Sequence, residues 1–192
     1  MAEQPSLLHR RSSAVLAFLL MLLMLLSAVL WGAYKGWSGQ RAQVATAQSS
    51  LDEMLSARRE VITNIVTVAA RHLPENDQQL SALRADRDRL GSSLDLAEQA
   101  AANERLSQGA AALLKTLAQD AGLQADARDL MYVSQMLPQA LEQSQSLVQQ
   151  AAYNAQAADY NQRLGDSFSG RLAGLLGIGP AQQFVAPQQV TP

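Results

Sequence analysis

The sequence predicts an all-α protein: an N-terminal transmembrane helix followed by a long antiparallel, up-and-down helical bundle of three long helices and a short C-terminal helix. Three observations predict this fold class. Residues 12–34 contain no charged side chain. Beyond them, apolar residues recur at helical spacing. Only 5% of the chain is aromatic, so that a core of Leu, Val, Ile, Ala and Met suits long helices better than a β-sandwich. The predicted segments are 1–11 (N-terminal segment), 12–34 (anchor), 35–179 (bundle) and 180–192 (disordered Pro/Gln tail).

The segment 12–34 predicts a membrane anchor. A helix of this length spans roughly 34 Å, enough for the hydrocarbon core. Interface-type residues flank it, namely Arg10, Arg11, Trp31, Tyr34, Lys35 and Trp37. A cleaved signal peptide is the main alternative, although "LSA" and "GWS" are poor cleavage sites. A buried core helix is disfavoured because the segment is apolar around its whole circumference.

The charges beside the span predict its orientation. Arg10 and Arg11 adjoin the span and emerge first, which favours a single-pass protein with a cytoplasmic N-terminus and an extracytoplasmic bundle. Lys35 and Arg41, on the other side of the span, offset that pair by simple count.

The first bundle helix is predicted to continue from the anchor as far as Pro74. Its apolar stripe steps by three and four residues through Leu51, Leu55, Arg58, Ile62, Ile65 and Ala69. Asn76 or Asp77 is then positioned to cap the next helix.

Two further long helices complete the predicted bundle. The second covers 77–120 and is weakened by "GSS" at 91–93. "AGLQAD" at 121–126 predicts a glycine C-cap, a short link and an N-cap at Asp126. The third helix covers 126–168, kinked or broken at Pro138. The glycine-rich residues that follow predict a short helix that caps the open end of the bundle.

The third helix repeats a Tyr-Asn pair seven residues apart, in "YNAQAADYN" at 153–161. Residues seven apart lie two turns along a helix, so Tyr153 and Tyr160 share one face and Asn154 and Asn161 share the adjacent face. Tyrosine adds bulk to an aliphatic core, and a buried asparagine selects one helix alignment over others. The pairs therefore predict packing specificity rather than catalysis.

The stretches "RREVITNIV" (58–66), "GLQADARDLMYVSQML" (122–137) and "YNAQAADYNQRL" with "FSGRLAGLLGI" (153–178) resemble the LemA family in order and spacing. That family has an arginine and a Leu-Ile-Pro-Asn-Leu-Val motif in its first helix, and two Tyr-Asn pairs in its last long helix. By position the motifs fall on Arg58, Ile62, Asn64, Ile65, Val66, Tyr153, Asn154, Tyr160, Asn161, Arg163, Phe168, Ala173, Gly177 and Phe184. Thr63 and Ser169 stand where the family has proline, and the arginine usual before the first Tyr-Asn pair is absent, which indicates a divergent member.

The resemblance implies a membrane-anchored helical bundle with no established enzymatic activity. It also suggests an interhelical polar cluster. Arg58 lies on the apolar stripe, where a buried guanidinium needs several acceptors. We predict that it meets polar groups between the first and third helices, drawn from Asn64, Tyr153, Asn154, Tyr160 and Asn161.

The sequence offers little chemistry. It has no cysteine and a net charge of −2, which excludes thiol catalysis and disfavours a nucleic-acid partner. No nucleophile, phosphate-loop or dinucleotide motif is present, and neither His9 nor His72 follows a glutamate three residues earlier, as a di-iron bundle requires. We predict no catalytic, cofactor-binding or metal-binding residues.

The predicted function is that of a membrane-anchored, non-enzymatic structural or protein-interaction module at the cell envelope. Its expected partners are the lipid bilayer and either another protein or a second copy of the chain. Two alternatives stay open: a regulatory or sensor-like bundle that controls a neighbouring membrane protein, and a secreted helical protein after signal cleavage.

Overall fold

The structure, a computed structural model, describes the backbone of residues 7–91 and 95–186, and the side chains in these ranges from residue 14 onward. This part of the chain is helical, with turns and loops and no strand, which confirms the all-α fold class. The helices are α1 Leu7–His72, α2 Gln78–Leu90, α3 Leu96–Leu117, α4 Ala121–Ala125, α5 Ala127–Met131, a π-helical segment Tyr132–Met136, α6 Leu137–Gln149, α7 Tyr153–Asp166 and α8 Phe168–Leu175.

Helix α1 confirms the prediction that the apolar segment and the first bundle helix are continuous. It runs without a break from Leu7 to His72 and ends just before Pro74, whose missing N–H cannot extend a helix. Arg10 and Arg11 lie within α1, but their side chains are outside the described ones.

Aspartate caps start the four helices α2 to α5. Asp77 accepts a hydrogen bond from the backbone N–H of Leu80 at 2.9 Å, as predicted, and Asp126 accepts from the N–H groups of Arg128 and Asp129. Each satisfies N–H groups that have no partner within the helix. The predicted link at 121–126 is instead largely the short helix α4, which Asp120 caps through the N–H of Leu123.

The second predicted helix is two helices that pack side by side. Thr116 on α3 bonds Gln79 on α2, at 3.3 Å, and Arg105 on α3 bonds Asp86 on α2, at 2.9 Å. Because the residue numbers of the paired positions rise on one helix as they fall on the other, α2 and α3 are antiparallel. The boundary prediction for 77–120 was therefore wrong, because α2 and α3 are separate antiparallel helices where the sequence indicated one helix with a weak point.

The third predicted helix is also divided. Pro138 does not break it but follows the π-helical segment, where the N–H of Leu137 bonds the carbonyl of Tyr132, five residues earlier. Proline has no N–H to donate, and the wider π-helical turn before it allows the helix to continue without that hydrogen bond. The break falls at 150–152, and a second one at Ser167 separates α7 from α8.

The chain forms two compact units. One comprises Met1–Gln43 and Tyr160–Pro180, the other Val44–Asp159 and Ala181–Pro192. The core of the second unit is built from α1, α2, α3 and α6, whose fully buried leucines and isoleucines include Leu51, Ile62, Ile65, Leu80, Leu106, Leu113 and Leu117. The first unit contains the apolar part of α1 and all of α8.

Helix α8 ends in a glycine motif. Gly177 has φ +85°, a conformation that a side chain disfavours. The N–H of Ile178 bonds the carbonyl of Ala173, and the N–H of Gly177 bonds that of Gly174. This is the Schellman pattern, which satisfies carbonyls at the end of a helix.

Candidate functional site

Arg58 lies in the core of the second unit with a relative exposure of 0%. Its Nη1 donates to Ser144 Oγ at 3.1 Å and to the Leu141 carbonyl at 3.4 Å, both on α6, and its Nη2 donates to Ser107 Oγ on α3 at 2.6 Å. Burial lowers the pKa of this guanidinium because desolvation disfavours the charged form. Arg58 thus joins three helices through one side chain.

These partners correct the predicted polar cluster. Arg58 is buried on the apolar stripe, as the resemblance suggested, but its acceptors are two serines and a carbonyl rather than Asn64 or the Tyr-Asn pairs. Small hydroxyl side chains on α3 and α6 leave room for the long guanidinium, and the sequence marked neither serine because both residues are common on solvated helix faces.

The first Tyr-Asn pair, Tyr153 and Asn154, binds the main chain of residues 182–184. The hydroxyl of Tyr153 donates to the Gln182 carbonyl. The amide of Asn154 donates to the Phe184 carbonyl and accepts from the Phe184 N–H, both at 2.8 Å, as a neighbouring strand would. Residues 182–184 are therefore held in place, which corrects the prediction that disorder begins at 180. Residues 187–192 lie outside the described ones.

The second pair lies in the other unit. The hydroxyl of Tyr160 donates to the Gly179 carbonyl at 3.1 Å, and its ring meets that of Trp37 edge-on with centroids 5.9 Å apart. Asn161 is half-buried on α7. Burial raises the pKa of both Tyr153 and Tyr160, so each phenol keeps its proton and acts as a donor. Tyr153, Asn154 and Tyr160 thus hold main-chain groups of Gly179, Gln182 and Phe184.

A charged network at the end of α1 was missed by the sequence reasoning. Asp129 is 2% exposed. Its carboxylate accepts two hydrogen bonds from Arg71 Nη1, at 3.1 and 3.2 Å, and lies 3.0 Å from His72 Nε2. The hydrogen bond to His72 is the main cause that holds the pKa of Asp129 below its usual value. The sequence does contain a sign that Asp129 is buried. It lies four residues before Val133 and eight before Leu137, on the same apolar stripe.

An open groove of about 390 Å³ borders this network. It lies beside the π-helical segment, and we call it the π-helix groove. Val68, Leu137 and the half-exposed Met136 give it an apolar lining, while Arg71 and Arg128 place two guanidinium groups there. The remaining lining residues are Asn64, Thr67, Asp129, Tyr132 and Ala140. A π-helical turn inside an α-helix often marks a functional site.

The charges in the lining of the groove do not balance. Asp129 is the acidic residue of its lining and is already bonded to Arg71 and His72, which leaves Arg128 as excess positive charge. Oxygen and nitrogen atoms of His72, Asp126 and Asp129 lie within 4.8 Å of one another. However, Asp126 Oδ1 accepts the backbone N–H groups at the start of α5, and a cation would compete with Arg71 for Asp129.

A second, more polar cleft of about 540 Å³ lies in the same unit, lined among others by Asp52, Arg59, Leu90 and Gly91. A Cβ at Gly91 would lie 2.2 Å from the Arg59 guanidinium carbon, so glycine allows the arginine to pack on the backbone. Burial raises the pKa of Asp52.

The predicted membrane-flanking residues divide into two groups. Trp31 and Tyr34 are 65% and 41% exposed, with ring centroids 6.1 Å apart, and Lys35 is exposed, as an interfacial role requires. Trp37 is only 5% exposed. Its indole N–H donates to Ser169 Oγ at 3.2 Å, so Trp37 packs within the protein, unlike the other described residues of the predicted membrane-flanking set.

The apolar part of α1 is long and hydrophobic enough to cross a membrane. Its most apolar window has a mean hydropathy of 2.7, and 0% of that window is buried. The protein is thus an α-helical bundle whose first helix carries an apolar, unburied N-terminal segment.

The chain belongs to the LemA family, whose model matches residues 47–192. The match covers the bundle and the Tyr-Asn pairs, and confirms the resemblance seen in the sequence. No curated protein matches the chain.

Proposed function

We propose that this protein is a membrane-anchored, non-enzymatic helical bundle that acts as a protein-interaction module at the cell envelope, with a cytoplasmic N-terminus and the bundle outside. The observation that carries the proposal is the exposure of α1 from Val15 to Leu26, where the large apolar side chains are 44% to 72% exposed. Burial of each such side chain is worth about 1.5 to 3 kcal/mol. A bilayer would supply that burial.

The binding site that we propose is the π-helix groove. An apolar lining with Arg128 beside it suits a partner segment that presents an apolar side chain next to a carboxylate. The buried charge in the lining supports a binding role, because Asp129 accepts hydrogen bonds from Arg71 and lies within hydrogen-bond distance of His72.

The anchor is tested by carbonate extraction, intact mass and protease digestion from each side of the membrane. We expect full-length protein that resists extraction and a bundle that an external protease digests. A species shortened near residue 30 in the medium would show a secreted module instead. Digestion from the cytoplasmic side alone would reverse the proposed orientation.

The groove is tested by a photo-crosslinking amino acid at Met136, with Gln143, an exposed residue on α6, as the matched control. We expect a defined cross-linked species at Met136 that Arg128→Glu abolishes. A species of twice the 20.7 kDa chain mass identifies self-association, whereas one stoichiometric membrane protein favours the regulatory alternative. Equal cross-linking at Met136 and Gln143 would rule out the groove as the site.

A further inference from the structure

Helix α8 distributes its residues in the reverse way to an ordinary surface helix, which buries its large apolar side chains. It turns two small residues inward, with Ala173 at 0% exposure and Gly170 also buried, and two of its large apolar residues outward. Phe168 is 74% exposed and Leu175 is 82% exposed. They lie seven residues apart, which is two helical turns, so both face the same side. A surface helix that exposes its largest apolar side chains indicates an interaction face.

The inward face of α8 is fixed by close packing. A Cβ at Gly170 would lie 2.1 Å from the Leu164 carbonyl oxygen, so the start of α8 lies directly against α7. The Schellman motif at Gly177 and the buried Ile178 fix the other end. Helix α8 therefore cannot simply rotate to turn its exposed apolar side chains inward.

The first turn of α8 lies at the end of the apolar part of α1, within the same compact unit. Trp37 on α1 donates its indole N–H to Ser169, the neighbour of Phe168, at 3.2 Å. Trp37 follows Tyr34 by three residues, which is about 4.5 Å along a helix. Phe168 is thus held close to the level at which α1 would leave the hydrocarbon core.

The chemistry of the exposed face matches that level of a bilayer. Aromatic rings and leucines enter the boundary between head groups and acyl chains, and basic side chains meet lipid phosphates. Phe168 and Leu175 supply the apolar groups, while the exposed Arg171 between them, with Lys35 on α1, supplies the positive charge.

We propose that α8 lies on the membrane surface, with Phe168 and Leu175 inserted into the boundary between lipid head groups and acyl chains. The chain then has two membrane contacts: the apolar part of α1 and the outer face of α8. This inference rests on the membrane anchor of the proposed function, and its occupant is the lipid bilayer on the side where α1 emerges.

The test uses the full chain in vesicles of phosphatidylcholine and phosphatidylglycerol. Because the protein has no cysteine, a single spin label can be placed at Leu20→Cys, Gln43→Cys, Phe168→Cys or Leu175→Cys. All four positions are exposed, so the labels leave the packing intact. Collision rates with oxygen, which concentrates in lipid, and with a water-soluble nickel chelate report where each label lies.

We expect the oxygen-to-nickel ratio at Phe168→Cys and Leu175→Cys to be several-fold higher than at Gln43→Cys, and lower than at Leu20→Cys. Gln43 is the aqueous control, since it lies nine residues, or about 14 Å, beyond Tyr34 along the same helix. Arg171→Gln should lower the depth of both α8 labels in anionic vesicles more than in neutral ones.

Three outcomes separate the possible failures. Lipid exposure at Leu20→Cys with water-like values at both α8 positions would overturn the inference and leave the anchor standing. Water-like values at Leu20→Cys would overturn the anchor itself. Spin–spin broadening at Phe168→Cys without lipid exposure would show that a second copy covers the face, which also overturns the inference.

Discussion

The two parts of helix α1 differ in exposure although one unbroken helix contains both. In the N-terminal part the large apolar side chains from Val15 to Leu26 all remain at least 44% exposed, whereas in the C-terminal part Leu51, Leu55 and Ile62 are at most 3% exposed. The first part is apolar on every side, and the second carries one stripe. The pattern of apolar residues around a helix, rather than their number alone, therefore determines which surroundings the helix suits.

The largest expected effect comes from placing charge in the exposed part. Leu20→Arg with Leu23→Arg adds two charges at the centre of the proposed span, at a cost of about 5 to 7 kcal/mol on insertion scales. We expect most of the protein to become extractable by carbonate. The same number of arginines at Glu53 and Glu60, exposed positions of the buried part, should leave extraction unchanged. Full retention of the Leu20/Leu23 variant would contradict a bilayer-spanning role.

The charge in the buried part provides the second test. Arg58→Ala removes the group that joins Ser107 on α3 to Ser144 on α6 and leaves a cavity. The free energy of unfolding should fall by about 3 kcal/mol, measured by urea unfolding of the full chain in detergent micelles. The control Glu60→Ala, on an exposed face of α1, should change it by less than about 0.5 kcal/mol. Equal effects would mean that Arg58 contributes no specific stabilisation.

The same contrast explains how much of the structure the sequence predicts. The uncharged segment and the stripe from Leu51 to Ala69 depend on local periodicity, and α1 matches the prediction along both. The reversal between α2 and α3 was missed because it depends on which helix faces pack together, and "GSS" at 91–93 is equally typical of a weak point. Within the site, the position of Arg58 on a stripe predicted its burial, but its partners come from distant serines that no local pattern marks.

A tight contact in the unit with the exposed part of α1 offers the third test. Gly170→Ala would force a Cβ to 2.1 Å from the Leu164 carbonyl oxygen, whereas a Cβ at Gly174, four residues on in α8, would meet nothing within 4 Å. We expect Gly170→Ala to lower the free energy of unfolding by about 1 to 3 kcal/mol. Gly174→Ala should raise it by about 0.5 to 1 kcal/mol through helix propensity. Hydrogen exchange of the α8 amides measures both, and a stabilising Gly170→Ala would show that the junction between α7 and α8 can relax.

The anchored chain end predicts a smaller, local effect in the other unit. Asn154→Ala removes both hydrogen bonds to the main chain of Phe184, worth about 1 to 2 kcal/mol together. The Phe184 amide should exchange roughly ten-fold faster or more, while amides of α1 keep their protection. Gln156→Ala, at an exposed position of α7, serves as the control. Unchanged exchange at Phe184 would show that other contacts hold this segment.

The last effect appears only at acidic pH. It concerns the buried part of α1, because the exposed part has no carboxylate or histidine between Val15 and Tyr34. Hydrogen bonds from His72 and Arg71 lower the pKa of Asp129 in the folded protein, so the unfolded chain binds the proton more readily. The stabilisation is therefore complete above the unfolded pKa of about 3.9 and is lost as the pH falls below that value.

Asp129→Asn should make the free energy of unfolding less dependent on pH between about 5 and 3, as measured by urea unfolding at each pH. Asp88→Asn is the control, because that carboxylate is 66% exposed and should leave the slope as it is. If both variants keep the wild-type slope, the acid sensitivity of the bundle comes from other carboxylates. If only Asp129→Asn flattens it, a buried charge ties the end of α1 to α5, whereas the exposed apolar part of the same helix contains no such charge.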